Sequence, residues 1–156
     1  MALFNESRLK AVSRENVYQK DKLFSESRKV ETFDIFLSHS YLDRDVVEGL
    51  FIELKRAGFN VYVDWIVDPH LDRNRVTKET AELIRKRMKS SKSLLLAIST
   101  NAALSKWIPW ELGFVDGQTQ ACALVPIEQG EKVTSSFVRS EYLLLYPYIS
   151  RESDWS

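Results

Sequence analysis

Residues 92–99, KSLLLAIS, are apolar from Leu94 to Ile98 without a break. A strand with one wet face alternates apolar and polar positions; a short unbroken run is what a strand covered on both faces requires. Three further runs fit strands. TFDIFLSHS (32–40) is rich in strand-favouring residues and ends in small polar ones. FNVYVDW (59–65) alternates Phe59, Val61, Val63 and Trp65 against Asn60, Tyr62 and Asp64, and CALVPIE (122–128) supplies the fourth. Helical spacing fills the gaps. DRDVVEGLFIELKRAG sets Val46, Val47, Leu50, Phe51 and Leu54 on one face, with Ser40 or Asp43 as a possible cap and Gly58 as the stop. TKETAELIRKRMKSS opens on a Thr77 cap with Glu79 in the first turn, where the helix dipole favours it. Strand and helix alternating with short connections predict an α/β fold: a flavodoxin-like parallel sheet of four to five strands, with helices on both faces.

The 156 residues suit one domain. Residues 1–31 differ from the rest, being charged with thinly placed apolar positions, and read as an N-terminal arm, either with a short helix or two or loosely docked. The aromatic tail, SSFVRSEYLLLYPYIS (135–150), is expected to seal the last sheet edge, with 151–156 as a terminal extension. Lys plus Arg and Asp plus Glu each number 22, a balance that argues against nucleic-acid binding through bulk charge. RKRMK (85–89) is expected to be a solvated helix face. The single cysteine, Cys122, excludes an internal disulfide framework and, in an apolar run, reads as a buried thiol. Only His39 and His70 are available, so no histidine-rich metal site is expected. No apolar run approaches the roughly 18 residues of a membrane span, and MALFNESRLK is too polar for a secretory signal; the expected location is cytoplasmic.

Parallel sheets bind ligands outside the carboxyl ends of their strands. Those ends carry Ser38, His39 and Ser40 after the first strand, Asp64 and Trp65 after the second, and Ser99 and Thr100 after the third. No strand is followed by GxGxxG or GxxxxGK[ST], which removes dinucleotide-dependent dehydrogenases and P-loop ATPases. A receiver domain would need acids where this chain has SHS.

SKWIPWELGF (105–114) crowds two tryptophans, a proline and one carboxylate together at a helix start. Ser105 can cap that helix, with Pro109 at the edge of its first turn, where a missing N–H costs least. Trp107 and Glu111, four apart, then share a face near the positive helix end. An acid beside an indole suits a cationic ring bound between them. The alternative is a surface glutamate beside two core tryptophans, and spacing alone leaves both open.

FDIFLSHS, GFNVYVDW, SLLLAIST and SKWIPWEL together resemble a Toll/interleukin-1 receptor (TIR) domain over residues 32–150, above all in the pattern Ser105-x-Trp107-x-x-x-Glu111-Leu112. The stand-alone form is most similar to bacterial TIR proteins of anti-phage systems, including the Thoeris type. The resemblance implies an enzyme that consumes NAD+ as substrate, with no other cofactor, releasing nicotinamide and ADP-ribose or a cyclic isomer. It places catalysis on Glu111, and substrate contacts on Trp107, on Ser38, His39 and Ser40 of the Ser38–Tyr41 loop, and on the loop from Asp64 with Trp65; Ser99 joins these candidates by its position at the end of the third strand. It also implies self-association between TIR surfaces and a downstream effector that senses the product; an inactive TIR interaction module is the alternative. The connection WIVDPHLDRNRVTKE departs from the loop usual in receptor adaptors, and Asp68, Asp72 and Arg73 within it are expected to be solvated.

Overall fold

A computed structural model of the chain describes residues 3–40, 42–100, 107–129 and 141–151. Five parallel strands form one sheet in the order β1-β5-β4-β2-β3: β1 Phe4–Asn5, β2 Phe33–Ser40, β3 Val61–Tyr62, β4 Ser91–Ser99 and β5 Cys122–Glu128. The central strand is β4, and its run from Leu94 to Ile98 is buried throughout, as its composition demands. It pairs with β2 from Phe33↔Ser91 to Ser40↔Ile98, and with β5 from Leu94↔Cys122 to Ser99↔Ile127.

Helices α1 (Glu6–Glu15), α2 (Val17–Ser27), α3 (Arg44–Arg56), α5 (Lys78–Lys89) and α6 (Ile108–Thr119) cover the two faces, and α4 (Asp64–Val67) is a single turn. In α3 the expected face is buried at Val46, Val47, Leu50 and Phe51, while Leu54 is only partly covered. Gly58 closes the helix with φ of 99°, a conformation that suits a residue without a Cβ. Asp43 occupies the N-cap position of α3 but makes no capping bond; its carboxylate pairs with Lys10 at 2.9 Å instead. Thr77 caps α5 by accepting from the Thr80 N–H at 3.2 Å.

Two regions differ from expectation. The second strand shrinks to Val61–Tyr62, because Asp64 and Trp65 turn into α4. Phe36 explains how so short a strand stays seated: its ring stacks on Tyr62 with centroids 5.0 Å apart. The other difference lies in the N-terminal arm, where the expected short helices form but an unexpected edge strand precedes them. Phe4 and Asn5 pair with Ile127 and Glu128 as an edge strand. Asn5 then caps α1, accepting from Ser7 N–H at 3.0 Å, and Asn16 caps α2, accepting from Gln19 N–H at 2.9 Å. Leu3, Phe4 and Leu9 are buried, and Phe24 meets Phe51 edge-on at 5.5 Å. Helix α1 comes so close to α3 that a Cβ on Gly49 would collide with the Leu9 carbonyl. At the tail, Tyr148 forms a parallel bridge with Leu124, so the aromatic end does cover the outer side of β5.

No helix among the described residues is long and apolar enough to cross a membrane. The RKRMK face is only partly solvated: Arg87 is tied to Asp68, and Arg85 lies over Trp110 at 5.7 Å.

Candidate active site

Alternation along β2 sends Ser38 to the same side as Phe36, towards the start of α6. There its hydroxyl donates to Glu111 Oε1 at 2.8 Å. Helix α6 begins at Ile108 with Pro109 in its first turn, and the Glu111 N–H donates to the Trp107 carbonyl at 3.0 Å. Trp107 and Glu111 therefore sit one turn apart at the amino end of α6, beside the carboxyl ends of the central strands. The Ser105 cap, like Tyr41, lies outside the described residues.

Glu111 is wholly buried, and its second oxygen accepts from Arg73 Nη1 at 2.7 Å. Arg73 Nε also abuts Asp64 Oδ2, its main-chain carbonyl accepts from the Trp107 indole N–H at 2.8 Å, and its guanidinium lies 5.8 Å from that ring's centroid. This corrects the expectation of a solvated Arg73. Asp68 is corrected in the same way, whereas Asp72 is exposed as expected. Physically, Asp68 anchors the loop: buried, it accepts from Arg87 Nε at 2.9 Å, Arg87 Nη2 at 2.8 Å and the Tyr62 hydroxyl at 2.8 Å. From that anchor the chain is carried back across the sheet end to Trp107. Burial and the adjacent Asp68 carboxylate push the Tyr62 hydroxyl far above its ordinary range, so it stays a donor. One signal was available: two carboxylates buried at one sheet end call for a cation, and the nearby loop carries Arg73 and Arg75.

Asp64 opens α4 and accepts from the Trp65 N–H at 2.9 Å. His39 Nε2 stands 3.8 Å from the same oxygen, Oδ1, while Arg73 lies against Oδ2. Burial works against the Asp64 charge, but His39 and Arg73 outweigh it and bring the carboxyl down to about 2. Burial likewise opposes the Arg73 charge, and Glu111 and Asp64 overcome it, holding the guanidinium above its ordinary range. Trp65 belongs to the outer part of the cluster. Its ring meets His39 edge-on at 4.9 Å and carries Arg44 on its face at 4.9 Å, and its N–H donates to Glu48 at 3.4 Å. Ser40 and Ser99 are buried at the carboxyl ends of β2 and β4, level with the site.

One surface was missed entirely from the sequence. Val76, Ala81, Arg85, Trp107 and Trp110 line an open recess of about 430 Å³ that shares Trp107 with the buried carboxylate. Cys122 is buried, and that burial raises its thiol to about 11, away from any nucleophilic role at neutral pH.

Residues 35–142 match the TIR domain family. The chain is a TIR protein. A Bacillus cereus (strain MSX-D12) relative named "Probable 3' cyclic ADP-D-ribose synthase ThsB'" is 42% identical over 165 aligned positions, covering 97% of this TIR chain and 84% of the relative. That alignment takes in α1 and α2, which the 35–142 match leaves out. A Cytobacillus dafuensis protein, provisionally named cyclic ADP-D-ribose synthase TIR2, is 28% identical over 107 positions, covering 68% of this TIR chain and 26% of the relative.

Proposed function

We propose that this TIR protein consumes NAD+, breaking the bond between nicotinamide and ribose and closing the remainder into a cyclic ADP-ribose isomer that acts as a signal in bacterial anti-phage defence. Its 42% identity to a protein named as a cyclic ADP-ribose synthase supports the activity, and the position of Glu111 carries the mechanism. The carboxylate sits in the first turn of α6, one turn from an indole and oriented by Ser38.

The chemistry asks little of the protein beyond this. The C1′–N bond breaks with its electron pair going to the pyridinium nitrogen, so nicotinamide leaves neutral and needs no protonation. Ordinary glycosides differ in requiring a second carboxyl as acid. Glu111 then balances the positive charge left on the ribose. A hydroxyl of the same molecule attacks C1′ and loses its proton, which closes the ring; water in its place gives ADP-ribose. The indoles of Trp107 and Trp110 offer faces for a planar ring in the recess. Self-association through TIR surfaces, and an effector that senses the product, complete the proposal.

Incubating the purified protein with NAD+, and measuring free nicotinamide with mass analysis of the nucleotide product, tests the reading. Nicotinamide release that drops about 10²–10³-fold in Glu111→Gln supports it. Release unaffected by that substitution moves the chemistry elsewhere. A second reading, an inactive TIR interaction module, is favoured by the complete burial and pairing of Glu111. Absence of any turnover, with retained binding to other TIR domains, would establish it.

A further inference from the structure

We infer that Arg73 is an internal latch: it holds the place that the cationic ribosyl end of the substrate must take beside Glu111, and the protein turns over only when this side chain swings out. The inference rests on the reading of Glu111 as the residue that acts on NAD+.

Both carboxylate oxygens of Glu111 are taken, one by Ser38 at 2.8 Å and the other by Arg73 at 2.7 Å. Glu111 has no exposed surface, so a ribose can reach the carboxylate only if a neighbouring group withdraws. Ser38 cannot leave the site, because its backbone is fixed in the β2–β4 ladder opposite Leu96. Arg73 can. It belongs to the loop between α4 and α5, its side chain is 22% exposed, and Asp72, Asn74, Arg75 and Val76 around it are exposed.

Charge makes the exchange specific. With Arg73 in place, one cation faces two buried carboxylates, Glu111 and Asp64. Once it leaves, the vacated position favours a positive group, which the nicotinamide ribosyl end supplies. The guanidinium thus imitates the charge that develops on the substrate, competing with it directly. Its Nε lies against Asp64 without a hydrogen bond, so this contact holds the side chain less firmly than the bond to Glu111 does. What opening loses is a charge-assisted pair with Glu111 and the face of Trp107.

Arg73→Gln and Arg73→Lys, compared with the unsubstituted chain, test the latch in two ways. Glutamine keeps amide donors without the charge, and lysine keeps the charge without the fork, so loss of the fold and loss of the latch can be told apart. Nicotinamide release from NAD+ is expected to rise about tenfold or more in Arg73→Gln, with Arg73→Lys intermediate. The rise should vanish when Glu111→Gln is added. Binding of carba-NAD+, a non-cleavable pyridinium analogue, supplies a readout that needs no turnover and is expected to tighten by a similar factor. Turnover by all forms with no gain in either substitution removes the latch and leaves the enzyme. Tighter analogue binding without any turnover keeps the latch and removes the enzyme. Weaker binding and slower release in both variants would make Arg73 a substrate ligand instead and overturn the inference.

Discussion

Trp107 and Arg73 hold each other twice: the indole N–H donates to the Arg73 carbonyl at 2.8 Å, and the Arg73 guanidinium lies 5.8 Å from the centre of the same ring. One tryptophan therefore fixes both the main chain and the charged end of the loop residue that covers Glu111. Trp107→Phe keeps an aromatic face and deletes the N–H. The loop should lose about 1–2 kcal/mol of local stability, read as faster amide hydrogen exchange across residues 72–76 while the exchange of β4 is unchanged.

Ser38 orients Glu111 from the opposite side. Ser38→Ala leaves β2 intact and removes that donor, so the carboxylate can rotate. In the Arg73→Gln background, kcat/KM for NAD+ is expected to fall about tenfold. An unchanged value would make the hydroxyl a packing feature only.

The depressed Asp64 carboxyl has a stability consequence with a definite sign. Its folded value is about 2, below the roughly 3.9 of an unfolded aspartate. Between those values the unfolded chain binds more protons, so this group stabilises the fold above about pH 4 and the contribution is lost as pH falls towards 2. The amount is about 2 kcal/mol. Urea midpoints recorded from pH 5 down to pH 2 should fall less steeply in Asp64→Asn than in the unsubstituted chain.

Gly49 is where α1 touches α3, and no side chain fits there. Gly49→Ala should push α1 outward and destabilise the protein by about 1–3 kcal/mol, seen as a lower melting temperature. Proteolysis should then begin within residues 6–27. Loss of that segment without loss of the sheet would mean that the N-terminal helices dock as a separable layer.

The sheet was legible because its signals are local. The unbroken apolar stretch of β4, the Gly58 stop and the Thr77 cap each depend on a few neighbouring residues. Trp107 and Glu111 were legible for the same reason, since helical spacing alone puts them together. Arg73 and Asp68 were not. Both sit in a polar connection, where the bland expectation is solvation, and only the path of the loop over the sheet end brings them to Glu111 and Arg87. Edge strand β1 escaped notice because two residues carry no period, and its partner lies 123 positions away, Phe4 against Ile127. The shortened β3 was overestimated because Asp64 and Trp65 continue its alternation in sequence while turning into α4 in space.

Among the described residues the sheet ends on both sides in a two-residue strand, β1 at one border and β3 at the other. Borders this brief offer a neighbouring copy almost no main-chain donors and acceptors to prolong the ladder. Among the described residues, then, the surfaces open to a second copy are the side chains of helices and loops, so that any assembly through them answers to surface substitutions and not to backbone pairing.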